Sequence, residues 1–407
     1  MAENTNKLVT AYIYDADLRI EANRGGKNYW YEYIKEINEQ LGLRAREMSR
    51  NALKDAMAMS DVGILFIGDL TASQMTDAMK SNLDTYVKAG GVLIGFATEE
   101  LDEIFGNACD SILPQPESDY TISGYFDLKA DSLTTNVHSY LHPEQKLIIF
   151  SNIRQLVPKS ATEIARLYSV DGTDTGYAAI TRRDYHKGHA YYFAFNVPQT
   201  MWVLHQGVPI TCDRDGDGYY RTGDLIAIGN NEREVLYADE NLFLIQNMLA
   251  QKPQPLIAPI PPKNDQIPDA LFYWGGDDEA AAGTQVWASN WMKEKGLPYH
   301  INIMRNKEGT FAVTPEEVEA IRANGHEPAL HYNFIDNFDP GPFTEIDVRE
   351  QAEAFYEAFG FHPICTVNHW VRWTGWAETA KWMHMAGGKA DNSFIHHPLP
   401  PLNPANR

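Results

Sequence analysis

The sequence predicts an α/β protein in two parts, a doubly wound sheet carrying a β-rich insertion and then a partial (β/α) barrel. Three observations carry this reading. Residues 7–106 alternate apolar strand-like runs with helical spacing. A stiff connector follows at 252–268, set by Pro253, Pro255, Pro259, Pro261, Pro262 and Pro268. Beyond it come three polar clusters, Gly275-Gly276-Asp277-Asp278-Glu279, Gly325-His326-Glu327 with His331, and Asn368-His369-Trp370. Two of them follow strand-like runs, and acids with separated histidines at strand ends are what a hydrolytic metal centre in an α/β barrel requires.

Taken in order, residues 8–14 read as a strand. Residues 29–41 have helical spacing, with Trp30, Tyr33, Ile34, Ile37 and Leu41 on one face. The run 62–68 is almost wholly apolar, as in a buried parallel strand. A helix over 75–89 ends at Gly90-Gly91, and 92–96 is the next strand. From about 118 to 197 period-2 segments take over, at 120–128, 146–150, 163–168 and 189–197, broken by Asp171-Gly172 and Lys187-Gly188. A helix over 230–251 precedes the connector, so the domains are placed at 1–251 and 269–407. In the second, 270–274 and 363–365 read as strands and 315–323, capped by Thr314, as a helix.

The chain has 407 residues, enough for two or three cores, and its 44% hydrophobic and 12% aromatic content is that of a globular protein. A net charge of −21 argues against a nucleic-acid or anionic-membrane partner and suits neutral or cationic ligands, calcium among them. Cys109, Cys212 and Cys365 show no CxxC spacing, which argues against a disulfide scaffold and a thiolate zinc site. With no 18-residue apolar run, no membrane span is expected. The polar start fits a cytoplasmic protein, or an extracellular or periplasmic one whose signal peptide has been removed. Oligomeric state is not legible.

Residues 213–224 fit the twelve-position calcium loop, with Asp224 in place of the usual closing glutamate. Asp213, Asp215 and Asp217 would present side-chain oxygens, Gly218 the sharp turn, Tyr219 its carbonyl and Asp224 the closing carboxylate. Such an ion would staple a loop and do no chemistry. An acidic turn closed by its own hydrogen bonds is the other reading.

Residues 61–68, 86–93 and 187–192 together resemble the class I glutamine amidotransferase-like fold. That family carries a cysteine on a tight strand-to-helix turn. The matching Gly95-Phe96-Ala97 has none, and Cys109 lies beyond it. Thiolate chemistry is therefore not expected, and a structural or sugar-recognising module is.

The C-terminal part, from Phe272-Tyr273-Trp274-Gly275-Gly276-Asp277-Asp278 onward, resembles the polysaccharide deacetylase (NodB-homology) family, a deformed (β/α) barrel that removes acetyl groups from sugars. The resemblance implies Asp277 as general base and Asp278 as metal ligand. It places His331 at the first metal histidine and leaves His326 a structural or supporting residue. The second metal histidine is replaced by Ile335, near which Asn333 and Asp336 offer oxygens; His369 would supply the missing imidazole. Zinc is the metal expected at Asp278, His331 and His369. Residues 387–394 resemble the family's Asp-Ser-Ser strand, and Trp370, Arg372 and Trp373 are taken as substrate-binding against a carbohydrate, core packing being the alternative for the aromatics. The span from Ala270 to Arg407 is shorter than the roughly 200 residues a complete barrel needs, which predicts a truncated domain without the late histidine acid. The function expected is a metal-dependent carbohydrate deacetylase; the alternative is a non-catalytic glycan-binding or scaffold protein with a structural calcium site.

Overall fold

The computed structural model describes residues 7–140, 142–225, 235–252, 254–256, 266, 274–278 and 282–393, with the side chain of Asp278 outside that description. The strand expected at 270–274 and the connector lie largely outside it as well. Two compact units are present, Met1–His205 with Gly229–Pro261, and Gln206–Ile228 with Pro262–Asn406. The sequence reading put the acidic loop in the N-terminal domain; its segment groups with the C-terminal unit.

The first unit is built on one mixed sheet. Its strands are β1 (Val9–Tyr14), β2 (Arg46–Ser49), β3 (Val62–Gly68), β4 (Val92–Phe96), β5 (Asn107–Leu113), β6 (Gly124–Leu128), β7 (Leu147–Ile149), β8 (Ile153–Pro158), β9 (Thr162–Tyr168), β10 (Asp174–Tyr185) and β11 (Gly188–Phe193). The order β2-β1-β3-β4-β11 is parallel, and β10-β9-β6-β7 continues it antiparallel, with β5 and β8 paired beside β10. The period-2 region thus extends the same sheet. β3 and β4 are buried at every position, as their apolar runs require. The helices are α1 (Ala16–Arg24), α2 (Ile34–Gln40), α3 (Asp77–Lys88), α4 (Asp102–Phe105), α5 (Val197–Gln206) and α6 (Tyr237–Leu249). The first half of the helix expected at 29–41 is a 3₁₀ turn, Trp30–Tyr33.

The 86–93 motif has a packing reason. The Tyr86 ring covers Gly91, where a Cβ would fall 2.3 Å from it, and its hydroxyl donates to the Gly63 and Val92 carbonyls at 3.0 Å.

His138 is buried against Glu240 of α6. The His138 backbone N–H donates to the Glu240 carboxylate, and Nε2 meets the Gln145 carbonyl at 2.6 Å. A carbonyl only accepts, so Nε2 carries the hydrogen. Burial opposes the imidazolium, but Glu240 and the Gln145 carbonyl outweigh it and the His138 pKa is raised above 6.5. The folded state binds the proton more tightly than the unfolded, so this stabilisation is full below the unfolded value and is lost as pH rises through the folded one. Glu240→Gln is therefore expected to lower Tm more at pH 6 than at pH 8.5; an equal loss at both would contradict the pairing.

The second unit holds a five-stranded parallel sheet in the order β12 (Gly275–Asp278), β13 (His300–Met304), β14 (Glu327–Tyr332), β15 (Cys365–Asn368) and β16 (Ala390–Asp391). Its helices are α7 (Thr284–Glu294), α8 (Pro315–Ala323), α9 (Glu345–Phe359) and α10 (Glu378–Met385). Helix α8 begins as expected, with the Thr314 hydroxyl accepting from the Glu317 N–H and the Glu317 carboxylate accepting from the Thr314 N–H. Alternation along the strands divides the residues sharply. Ile301, Ile303, Leu330 and Tyr332 join the core with Val318, Ile321, Val348, Phe355 and Met383. The intervening residues are His300, Asn302 and Met304 on β13 and Glu327, Ala329 and His331 on β14, four of the six polar. A parallel sheet is usually apolar on both faces, so a face with buried polar residues marks where chemistry is to be sought.

Candidate metal centre on the parallel sheet

Register carries Asp277 of β12 opposite Asn302 of β13, and His331 of β14 opposite Met304 and Val367. These positions lie toward the C-terminal ends of their strands, the end on which barrel sites are built. His331 is 1% exposed. Its Nε2 is 3.1 Å from Nδ1 of His369, and its Nδ1 lies 3.5 Å from Oδ1 of Asp277, with no hydrogen-bond partner among the described residues. Burial pushes the His331 imidazole down to about 4, over the opposing pull of Asp277 and with His369 adding to the fall. It is neutral at pH 7, the form that binds metal.

The Asp277 carboxylate is held from its own side. Asn302 Nδ2 donates to Asp277 Oδ1 at 2.6 Å, which turns the Asn302 oxygen toward His300 Nε2, also at 2.6 Å. His300 and Asn302 are both buried, and burial lowers the His300 pKa. Sequence reasoning missed this pair. The available signal was the alternation His300-Ile301-Asn302-Ile303-Met304, which puts polar residues on one face of a strand whose other face is apolar.

The structure brings Asp277, His331 and His369 into one neighbourhood, while the side chain of Asp278 lies outside the described residues. Asn333 and Asp336 are bonded to each other and to the backbone. The Asn333 oxygen accepts from the N–H groups of Ile335 and Asp336, and its amide donates to the Arg305 carbonyl and to Asp336. Gln351 of α9 bonds the Asn333 backbone on both sides, fixing the turn that leaves β14. His326 meets the Ser289 carbonyl at 2.9 Å, a structural contact. The Asp391-Asn392-Ser393 segment is structural too, since Ser393 Oγ accepts from the Asn368 N–H and Asp391 accepts from Thr366 and Ser393, pinning β16 to β15.

Two of the three residues expected to bind substrate have buried side chains. Arg372 is 0% exposed, and its guanidinium donates to the carbonyls of Tyr220, Phe334, Asp339 and Gly341. Trp373 is 2% exposed and packs with Ile210, Leu225, Tyr220 and Trp376, its Nε1 donating to the Trp376 carbonyl. Trp370 is 50% exposed beside His369, edge-on to the Tyr219 ring at 5.3 Å. It and Val371 hold φ of 55° and 48°, a conformation costly for a bulky and a β-branched residue.

In the acidic loop, oxygens of Asp213, Asp215 and Asp224 lie within 4.8 Å of one another and form a possible metal site. Asp224 is buried and accepts from the backbone N–H groups of Arg214, Asp215 and Arg221. Burial, with the carboxylates of Asp217 and Asp224, pushes Asp215 up to about 6. Gly216 and Gly218 turn with φ of 76° and 96°. Of the side chains expected as ligands, Asp217 is not in this group. Asp217 is paired with Arg221, whose Nε is 2.6 Å away, and the Tyr219 ring lies against Trp370 and under Arg372.

No protein-family model and no curated protein matches the chain. Among solved structures it is similar to a β-galactosidase from Rahnella sp. R3, at 14% identity and TM-score 0.36, over 47% of this chain and 29% of that one. It is similar to a ThuA-like protein from Bacteroides uniformis ATCC 8492, at 10% identity and TM-score 0.33, over 52% and 95%. A cytoplasmic protein from Salmonella typhimurium matches at 12% identity and TM-score 0.32, over 41% and 76%. The chain thus spans under a third of the Rahnella enzyme, and likenesses of this size assign no activity. Among the described residues no helix is long and apolar enough to cross a membrane.

Proposed function

We propose that this protein is a metal-dependent hydrolase that removes acetyl groups from a glycan. One observation carries the reading: a buried, neutral histidine, His331, has one ring nitrogen without a hydrogen-bond partner among the described residues and directed at the Asp277 carboxylate, at the C-terminal end of a parallel sheet. Burying a polar nitrogen unpaired costs about 1–3 kcal/mol, and a cation shared with the carboxylate removes that cost. A zinc-class ion supplies acidity to a bound water and polarises a carbonyl. Asp277, His331 and His369 are the residues disposed to serve such an ion, and half-exposed Trp370 offers a sugar a stacking face beside them. The choice of acetyl groups rests on the resemblance to polysaccharide deacetylases. The Asp213–Asp215–Asp224 group is assigned to calcium, as a staple of its loop.

The test is acetate release from N-acetylglucosamine oligomers and from acetylated xylan, with zinc supplied. Asp277→Asn is expected to lower turnover at least 100-fold while leaving Tm within a few degrees. Unchanged turnover in the variant would overturn the mechanism. Ile335 at the second histidine position, with Asn333 and Asp336 committed to each other, favours a second reading as a glycan-binding module. Oligosaccharide binding without metal or turnover would select it.

A further inference from the structure

We infer that Tyr219, carried on the acidic loop, positions the Trp370 indole for a sugar ring, so that a divalent cation in the loop and a glycan at Trp370 strengthen each other's binding. The inference rests on the glycan and calcium parts of the reading above, and not on a metal at Asp277 and His331.

The state of Trp370 is the first argument. Its side chain is left half in solvent, although an indole gains much from burial. Its backbone holds φ 55° and ψ 25°, and Val371 follows at φ 48°. A bulky residue and a β-branched one do not take the left-handed region unaided, so the contacts around them impose it. Trp370 is presented at the surface by a turn that costs free energy to make. An aromatic presented in this way suits stacking on a neutral sugar.

The second argument is what holds the turn. Asn368 Nδ2 donates to the Arg372 carbonyl at 2.7 Å, closing the turn on itself. The acidic loop ties it from outside. Arg221 pairs with Arg372 and Ile210 with Gly375 in antiparallel bridges, and the Trp373 N–H donates to the Tyr220 carbonyl at 3.2 Å. From the loop the Tyr219 ring reaches the indole, with centroids 5.3 Å apart and planes at 81°, and the Arg221 guanidinium lies 6.0 Å from the indole centroid. A perpendicular ring buttresses the indole without stacking over it. Tyr219 is itself held by the Arg372 guanidinium, 5.4 Å from its centroid.

The third argument is the place of Tyr219 in the loop. In the twelve-position spacing it is the seventh residue, which binds calcium through its backbone carbonyl and leaves its side chain free to point elsewhere. The turn that carries it is already tied to the carboxylates. The Tyr219 N–H donates to Asp217 at 2.9 Å, and those of Gly216 and Gly218 donate to Asp213 at 2.8 Å. Oxygens of Asp213, Asp215 and Asp224 converge. Thr222, 0% exposed in the turn that Asp224 closes, has a hydroxyl without a partner among the described residues. A cation drawn to this loop fixes the backbone of Tyr219, and with it the ring that meets Trp370. Two ligands that favour one arrangement of a shared element are coupled, and the coupling is reciprocal.

The experiment uses the full chain, dialysed free of metal and labelled with fluorotryptophan, the Trp370 ¹⁹F resonance being assigned by Trp370→Phe. Calcium is expected to shift and sharpen that resonance in the wild type and in Tyr219→Phe, and to leave it unmoved in Tyr219→Ala. By calorimetry, calcium is expected to tighten N-acetylglucosamine oligomers about 10-fold, inside the roughly 5–150-fold span of typical coupling. Tyr219→Ala is expected to lose this gain and Tyr219→Phe to keep it, while the oligomers tighten calcium by the same factor. An oligomer affinity indifferent to calcium or to Tyr219→Ala would overturn the inference and leave the glycan reading standing. Absence of oligomer binding by the wild type, with and without calcium, would overturn both. Circular dichroism of each variant shows whether a loss reflects unfolding, and the response of the wild type to calcium decides the coupling whether or not a variant folds.

Discussion

Arg372→Ala is expected to cost the C-terminal unit about 3–5 kcal/mol, read from its denaturant midpoint. The guanidinium is fully buried and donates to four backbone carbonyls, Phe334 at 2.7 Å, Asp339 at 3.1 Å, Tyr220 at 3.2 Å, and Gly341. Burial lowers its pKa and Arg221 adds to the fall, against the opposing pull of Tyr219, whose ring lies 5.4 Å away, and of Asp217. Truncation strands those carbonyls and leaves a cavity. It also unties the acidic loop from the segment after His369, because Tyr220 O accepts from both Arg372 and the Trp373 N–H. Arg372→Lys is expected to recover only part of the loss, since one ammonium cannot span a fork of four acceptors. A loss below about 1 kcal/mol in the alanine variant would mean that water reaches these carbonyls.

The elements were more legible than the roles of single residues. Apolar runs such as 62–68 and the capped helix at 315–323 specify themselves through local spacing and capping, and the structure holds both as β3 and α8. What could not be read depends on neighbours distant in sequence. Arg372 looked like a substrate-binding cation because nothing local shows that four carbonyls, from residues 31 to 152 positions away, converge on it. Asp217 fitted the calcium spacing, yet Arg221 four residues on captures its carboxylate. His300 and Asn302 matched no motif and emerge only because parallel register sets Asn302 beside Asp277. His331 and His369, 38 positions apart, were singled out by the resemblance, and the pairing of β14 with β15 accounts for their proximity.

The largest effect expected on function is that of His331→Gln. This imidazole belongs to the expected ligand set, is neutral at pH 7, and has one nitrogen toward Asp277 and the other toward His369. Glutamine keeps polarity and much of the volume but supplies no comparable nitrogen donor for a zinc-class ion. Metal affinity is expected to fall at least 100-fold and turnover with it. The acidic loop is unaltered by the change, so calcium bound there should persist.

The central claim is most directly tested by elemental analysis of exhaustively dialysed protein, wild type against His331→Gln. The account predicts about one zinc-class metal per chain in the wild type, lost in the variant, with calcium equal in both. A wild type carrying calcium alone, or a transition metal retained in the variant, would contradict it.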